Sequence, residues 1–135
     1  MINKKIIKIA LNTKFEGLKK KFTHKASAKN SMCGDIIKIE IVANKSIIKS
    51  MRYETESCIL CEASASLLAN KLKNYHLNDL KENIKKVKNI KKTKKIHIPH
   101  KFKEFNKILN KNTLSRLNCV ILPMEALLKA FKIKL

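Results

Sequence analysis

Four cysteines and one aspartate hold the chemistry this chain can offer. Cys33-Gly34-Asp35 sets a thiol, a residue without a side chain and a carboxylate in succession, and Cys58 and Cys61 stand three apart where an extended segment gives way to a helical pattern. Cys119 stands near the start of the last apolar stretch. Thiolates are soft ligands suited to zinc or iron-sulfur chemistry. A thiol at a helix start lies near the positive end of the helix dipole, which favours the thiolate that binds metal or attacks sulfur. The bland alternative is that an intracellular cysteine is a small buried hydrophobe, and this is the reading for Cys61, although C-x-x-C spacing would also suit a metal or a disulfide. Asp35 could equally be a turn former after Gly34, where a missing side chain lets backbone approach a ligand. His24, His76, His97 and His100 lie in polar stretches and read as solvated.

The elements between these residues decide whether they meet. Ile36 to Val42 alternates, with Ile37, Ile39 and Ile41 on one side and Lys38 and Glu40 on the other, as a half-buried strand does. Ala43-Asn44-Lys45-Ser46 reads as a turn with Asn44 taking a positive φ, and Ile47 to Tyr53 as the return strand. This antiparallel hairpin brings Cys33, Asp35 and Cys58 to one edge despite the 24 residues between the two cysteines. Helical spacing predicts a helix from Cys61 to Tyr75, through Leu67, Leu68 and Leu72, and a second from Asp79 to Val87 with Asn78 as N-cap. It predicts further helices over Phe102 to Leu109 and from near Cys119 to Phe131. Pro123 requires either that regular helix begins there or that one hydrogen bond is missing beside the site. Residues 4–21 suggest one or two helices interrupted near Gly17, residues 22–34 a loop delivering Cys33, and residues 88–101 a solvated linker. The fold class is α+β: a small antiparallel β-sheet with helices packed on one face and the cysteines clustered at one end.

Asn30-Ser31-Met32-Cys33-Gly34-Asp35 resembles the N-P-x-C-G-D motif of the NifU/IscU/SufU family of iron-sulfur cluster assembly proteins. Ser57-Cys58 followed by Ala63-Ser64-Ala65-Ser66 resembles that family's G-C-x(4)-A-S-A-S helix start, and Arg116-Leu117-Asn118-Cys119 its third cysteine motif. The order of the motifs is the family's. The 60 residues between Cys58 and Cys119 resemble the SufU branch, which carries an insertion there, as does Asn118 where IscU proteins have His. The resemblance implies that Cys33, Asp35, Cys58 and Cys119 bind iron, zinc or a nascent cluster. It implies that Asp35 makes the bound species labile, a carboxylate being a harder and weaker ligand for a soft ion. It implies either a scaffold or a zinc-dependent, sulfurtransferase-type sulfur acceptor, rather than a conventional enzyme. The implied partners are a SufS-like cysteine desulfurase and downstream iron-sulfur assembly or acceptor proteins. Cys119 would accept the sulfur, with the Arg116 guanidinium lowering its thiol pKa. Ser31 stands where the motif has Pro, so the approach to Cys33 is less rigid; Ser57 stands for Gly, and Cys61 for Ser or another small residue.

The 135 residues suffice for one domain, 1–135, and 44% hydrophobic residues argue against global disorder. The net charge of +21 invites a second reading, a small zinc-stabilised basic nucleic-acid-binding module. Against it, only two of the 31 basic residues are Arg, aromatics are 5% and Trp is absent, which suits neither base readout nor stacking. Lys, Asn and Ile abound in every segment, as a genome-wide compositional bias would give. The first charged run, Ile6-Ile7-Lys8-Ile9-Ala10-Leu11, is too short for a signal peptide or a membrane span, and no Arg precedes Arg52 as in a transit peptide. With reduced thiols, these features set the expectation of a cytoplasmic protein without membrane contact.

Overall fold

A computed structural model describes residues 3–135. The β-branched runs that alternate in the sequence form the central hairpin, β2 (Asp35–Asn44) and β3 (Ile47–Glu56). Ile37, Ile39 and Ile41 of β2 and Ile48, Met51 and Tyr53 of β3 are buried on its inner face. Pairing runs from Ile36 opposite Glu56 to Val42 opposite Ser50, then slips by one residue so that Asn44 faces Ile47. Because Asn44 is still paired, the left-handed position falls one residue later, at Lys45 (φ 58°). The sheet is antiparallel, in the order β1 (His24–Asn30), β2, β3, β4 (Tyr75–His76).

Strand β1 occupies most of the segment that reads as a loop. Its alternation is between Lys25, Ser27 and Lys29 outside and His24, Ala26 and Ala28 inside, and two alanines are too small a signal to stand out. They are small because the last helix, α5 (Leu117–Ala130), lies across this strand.

The first helix, α1 (Lys4–Ala10), is capped by Asn3, whose side chain accepts from the Ile6 N–H. It ends there, and the next residues form a strap across the outer face of the sheet instead of a second helix. Phe15 and Gly17 bond the Tyr53 backbone at the free edge of β3, the Gly17 N–H to the Tyr53 carbonyl at 2.7 Å. The Arg52 guanidinium donates to the carbonyls of Glu16 (2.7 Å) and Gly17 (2.9 Å). Opposite Arg52 in register, Glu40 accepts from the backbone N–H groups of Lys19 (2.8 Å) and Lys20 (3.0 Å). The strap then joins β1 through the Thr23 N–H on the Ile41 carbonyl. Two charged side chains on the outer face thus satisfy backbone that no helix or strand serves.

Helix α2 (Ile59–Lys71) sits between α1 and α5 over β3. It starts two residues before the predicted Cys61 and stops short of Tyr75, which belongs to β4. Leu60, Ala63, Ser64, Ala65, Ser66, Leu68 and Ala69 are all buried, so the helix is covered nearly all round, and small residues let its neighbours close on it. The two serines make cross-links: Ser64 Oγ donates to the Val120 carbonyl of α5 (2.6 Å) and Ser66 Oγ to the Asn12 carbonyl after α1 (2.9 Å).

Helix α3 (Leu77–Lys88) has His76 rather than Asn78 as its N-cap, and Asn78 lies in its first turn. The segment expected to be a solvated linker is partly core. It forms a short helix, α4 (Ile90–Thr93), with Ile90 buried, and then Pro99 is buried and Ile96 and Ile98 are half-buried. Isoleucines spaced by lysines anchor it, a spacing too open for either regular period. His100–Lys107 is 3₁₀ helix, kinked at Phe102, and buries Phe102 against Phe105 with ring centroids 5.3 Å apart. No helix among the described residues is long and apolar enough to cross a membrane.

Replacing Glu40 by alanine removes the acceptor of the Lys19 and Lys20 N–H groups in the strap. The Glu40→Ala variant is expected to lose about 1 kcal/mol of unfolding free energy in denaturant titration, the net worth of hydrogen bonds whose donors water can reach.

Candidate metal centre

Strand parity aims Asp35. It shares the inner face with Ile37, Ile39 and Ile41, so its carboxylate enters the helix side of the sheet at the strand's first residue and is 5% exposed. Its Oδ1 accepts from the backbone N–H of Cys58 at 3.1 Å. Its Oδ2 is buried with no hydrogen-bond partner.

Cys58 is the N-cap of α2 and is half-buried. Cys33 is exposed in the turn between β1 and β2, where Gly34 has φ 74° and its N–H bonds the Asn30 carbonyl at 2.7 Å. Cys119 is the third residue of α5, entered through the 3₁₀ turn Leu114–Arg116, and is 1% exposed. The helix runs through Pro123, which has no N–H for the Cys119 carbonyl, so the second of the two arrangements predicted for this proline is the one adopted.

Cys33 Sγ, a carboxylate oxygen of Asp35 and Cys119 Sγ all lie within 4.8 Å of one another. The Cys58 thiol lies close enough to raise the Cys119 pKa but is not one of the ligand atoms that fall within 4.8 Å of one another. Ligand atoms on a tetrahedral zinc-thiolate centre stand about 3.8 Å apart, given bonds of about 2.3 Å. The Cys33 and Cys119 thiols and the buried Asp35 carboxylate therefore fit a cation by both chemistry and spacing, with Cys58 beside them. Cys61 is not among these ligand atoms: it is fully buried in the core, and burial pushes its thiol up to about 12. None of the histidines joins the cluster; His24 stacks on Phe131 with centroids 4.6 Å apart.

The Cys119 thiol departs from the sequence expectation. Burial, first, and then the neighbouring Cys58 thiol and the Asp35 carboxylate raise its pKa. These outweigh the helix start, and the half-buried Arg116 makes no side-chain hydrogen bond or ion pair among the described residues. In the free protein this thiol stays protonated; a cation at the site would reverse the balance and hold it as thiolate.

The sequence gives Asn30 no task beyond its place in the Asn30–Asp35 motif. Its side-chain Nδ2 lies 3.5 Å from Cys33 Sγ, and it faces Asp35 across the β1–β2 ladder. The signal that could have found it is this parity, readable once β1 is recognised as a strand.

The fold and the cluster together define a cysteine- and aspartate-bearing α+β domain with its metal-fitting end at one edge of the sheet. The sequence of residues 1–132 matches the NifU-like N terminal domain, and the chain belongs to that family. Its fold is similar to the crystal structure of the N-terminal part of a nitrogen-fixing NifU-like protein from Brucella abortus, with TM-score 0.86 and 16% identity over 96% of this chain and 91% of that one. It is similar also to a candidate iron-sulfur cluster assembly scaffold protein for the SUF system (FiSufU) from the thermophile Fervidobacterium islandicum AW-1, with TM-score 0.83 and 20% identity over 96% of this chain and 95% of that one. No curated protein matches the sequence.

The buried Cys61 gives the metal-free protein a pH dependence. Its thiol holds its proton up to about 12 when folded, against an ordinary value of 9.0. Between these values the unfolded chain binds fewer protons than the folded one, so stability falls as pH rises through that window. The Cys61→Ala variant should show a flatter decline in denaturant titrations over the same range, and a slope as steep as the parent's would contradict this.

Proposed function

We propose that this chain, acting as a single domain over residues 1–135, is an iron-sulfur cluster assembly protein of the cytoplasm. The observation that carries the reading is the buried Asp35 carboxylate, whose Oδ2 has no hydrogen-bond partner and which lies within 4.8 Å of the Cys33 and Cys119 sulfurs. The four side chains would hold iron, zinc or a nascent cluster as three soft ligands and one hard one. The bound ion would keep the thiols ionised at neutral pH. The family, together with the fold shared with a candidate SUF-system scaffold, supports this assignment.

A mixed ligand set suits a site that must release what it receives. Asp35 Oδ1 also accepts from the Cys58 N–H, which draws charge from the carboxylate and weakens Oδ2 as a ligand. Asp35→Ala is expected to retain bound metal or cluster longer while slowing transfer to an acceptor protein. A chelator competition would read this, and faster loss from the variant would refute the labile-ligand role.

The SufU-like length of the segment between Cys58 and Cys119 favours sulfur acceptance from a SufS-like cysteine desulfurase, with downstream assembly or acceptor proteins as recipients. A site thiolate attacks the outer sulfur of the desulfurase persulfide; a new S–S bond forms, the old one breaks, and the desulfurase cysteine leaves as thiolate. Cys119 is the proposed resting place of that sulfur. It is buried, so a partner must first uncover it or load the exposed Cys33, whose sulfur lies within 4.8 Å of Cys119. Arg116, three residues before Cys119, is the cation proposed to steady the anionic sulfur.

Elemental analysis and the visible spectrum of freshly purified protein separate the scaffold from the zinc-bound acceptor: the first gives iron, sulfide and colour, the second colourless zinc. Mass spectrometry after incubation with desulfurase and cysteine is expected to find a persulfide on Cys119, and Cys119→Ser to keep the fold while losing it. Persulfide confined to Cys33 or Cys61 would overturn the residue assignment, and a protein that takes neither sulfur nor metal would overturn the function.

A further inference from the structure

We propose that Asn30 is a positioning residue of this site: its side-chain amide donates a hydrogen bond to the Cys33 sulfur, turning that thiol toward Asp35 and Cys119 and tempering its reactivity. Three bonds of one residue carry the proposal. Nδ2 lies 3.5 Å from Cys33 Sγ, within reach of a sulfur acceptor. Oδ1 accepts the Met32 N–H at 3.1 Å. The Asn30 carbonyl accepts the Gly34 N–H at 2.7 Å. The second bond fixes the first: only the amide oxygen can accept from Met32, so the amide nitrogen is the atom left facing sulfur.

The setting makes this bond matter. Cys33 is exposed, and a Cβ built on the adjacent Gly34 would meet nothing within 4 Å, so no packed wall holds the turn. The stiffening proline of the family's motif is Ser31 here. Asn30 itself is held, as the last residue of β1 and directly opposite Asp35 in the ladder. It can therefore transmit the position of the sheet to a thiol that nothing else fixes. Chemically, an N–H donor withdraws charge from a thiolate, which lowers its nucleophilicity and the energy of the sulfur electrons it shares with a metal.

The proposal rests on the metal reading above only for its cobalt arm. The full chain and the Asn30→Asp variant are loaded with Co(II). Aspartate keeps the shape and the acceptor for Met32 but removes the donor to sulfur, so the fold should survive, which a thermal melt checks. The sulfur-to-cobalt charge-transfer band is expected to move to longer wavelength, and cobalt affinity to fall by about tenfold, the lower end for loss of a group that orients a ligand. Iodoacetamide alkylation of Cys33 in the loaded protein, followed by peptide mass spectrometry, should quicken. An unchanged band with an unchanged rate overturns the proposal. A second variant, Asn30→Ala with Ser31→Pro, stiffens the turn without an amide. Its band should still be shifted, and a band restored to the parent position would mean that Asn30 acts through loop shape alone, which also overturns it. If the parent binds no cobalt, the metal reading fails separately, and the metal-free chains decide here. In crystals of both, the Cys33 sulfur should turn away from Asp35 and Cys119 in Asn30→Asp, and a Cys33 rotamer unchanged from the parent refutes the proposal.

Discussion

One hydrogen bond joins the sheet to the helices at the site: Asp35 Oδ1 to the Cys58 N–H, 3.1 Å. It uses the first inner position of β2 to hold the N-terminus of α2, and the same carboxylate turns its other oxygen toward the thiols. Were the register of β2 slipped by one residue, Asp35 would face solvent, Ile36 would face the helices, and the anchor and the hard ligand would be lost together. The isoleucines at 37, 39 and 41 forbid that slip, because it would move all three out of the core. The chemistry of the site is thus held in place by the hydrophobic pattern of a strand.

The opposite wall depends on small residues. Helix α2 could not lie between α1 and α5 if positions 63–66 bore larger side chains, and its two serines replace bulk with directed bonds. Ser64 fixes α5 at Val120, one residue beyond Cys119, so the depth of that cysteine is set from α2. Pro123 removes the helical donor for the Cys119 carbonyl, which softens α5 at the turn that carries the ligand. A buried thiol on a slightly loosened turn can be stable in the resting protein and still be moved by a partner.

The hairpin, the face of Asp35 and the convergence of Cys33 with Cys58 were legible because period-two alternation of Ile and Lys over seven residues has one reading. Strand β1 was not, because alternating Ala with Lys and Ser buries too little apolar surface to mark a face; its strand character comes from pairing with β2 and from α5 lying on it. The strap after α1 has helical spacing of apolar residues, yet Glu40 and Arg52 offer its backbone better partners than a helix would. Those two residues are far away in sequence and read there as ordinary solvated charges. Isoleucines 90, 96 and 98 were hidden among lysines for a related reason: a segment that touches the core at isolated points has no period. At the site, the convergence of Cys33, Asp35 and Cys119 was readable, whereas the protonation of Cys119 was not. A helix start and a nearby arginine are local features, while desolvation by the sheet and the proximity of Cys58 and Asp35 belong to the tertiary fold.

The thiols form a gradient of access, from exposed Cys33 through half-buried Cys58 to Cys119 at 1% exposure. In a metal-free chain the Cys119 thiol resists ionisation, since burial, the Cys58 thiol and the Asp35 carboxylate all oppose a thiolate there. On the function proposed above, a cation entering from the Cys33 side would meet the exposed thiol first and bring its own charge inward, so that ionisation of Cys119 would become favourable only once the cation had arrived. Loading would then run from the outside in and expel protons, and unloading would begin at the same exposed thiol. The net charge of +21 adds a long-range bias against free cations, which the local carboxylate would have to overcome. That bias would favour hand-over from an acidic surface over capture of a free ion from solution.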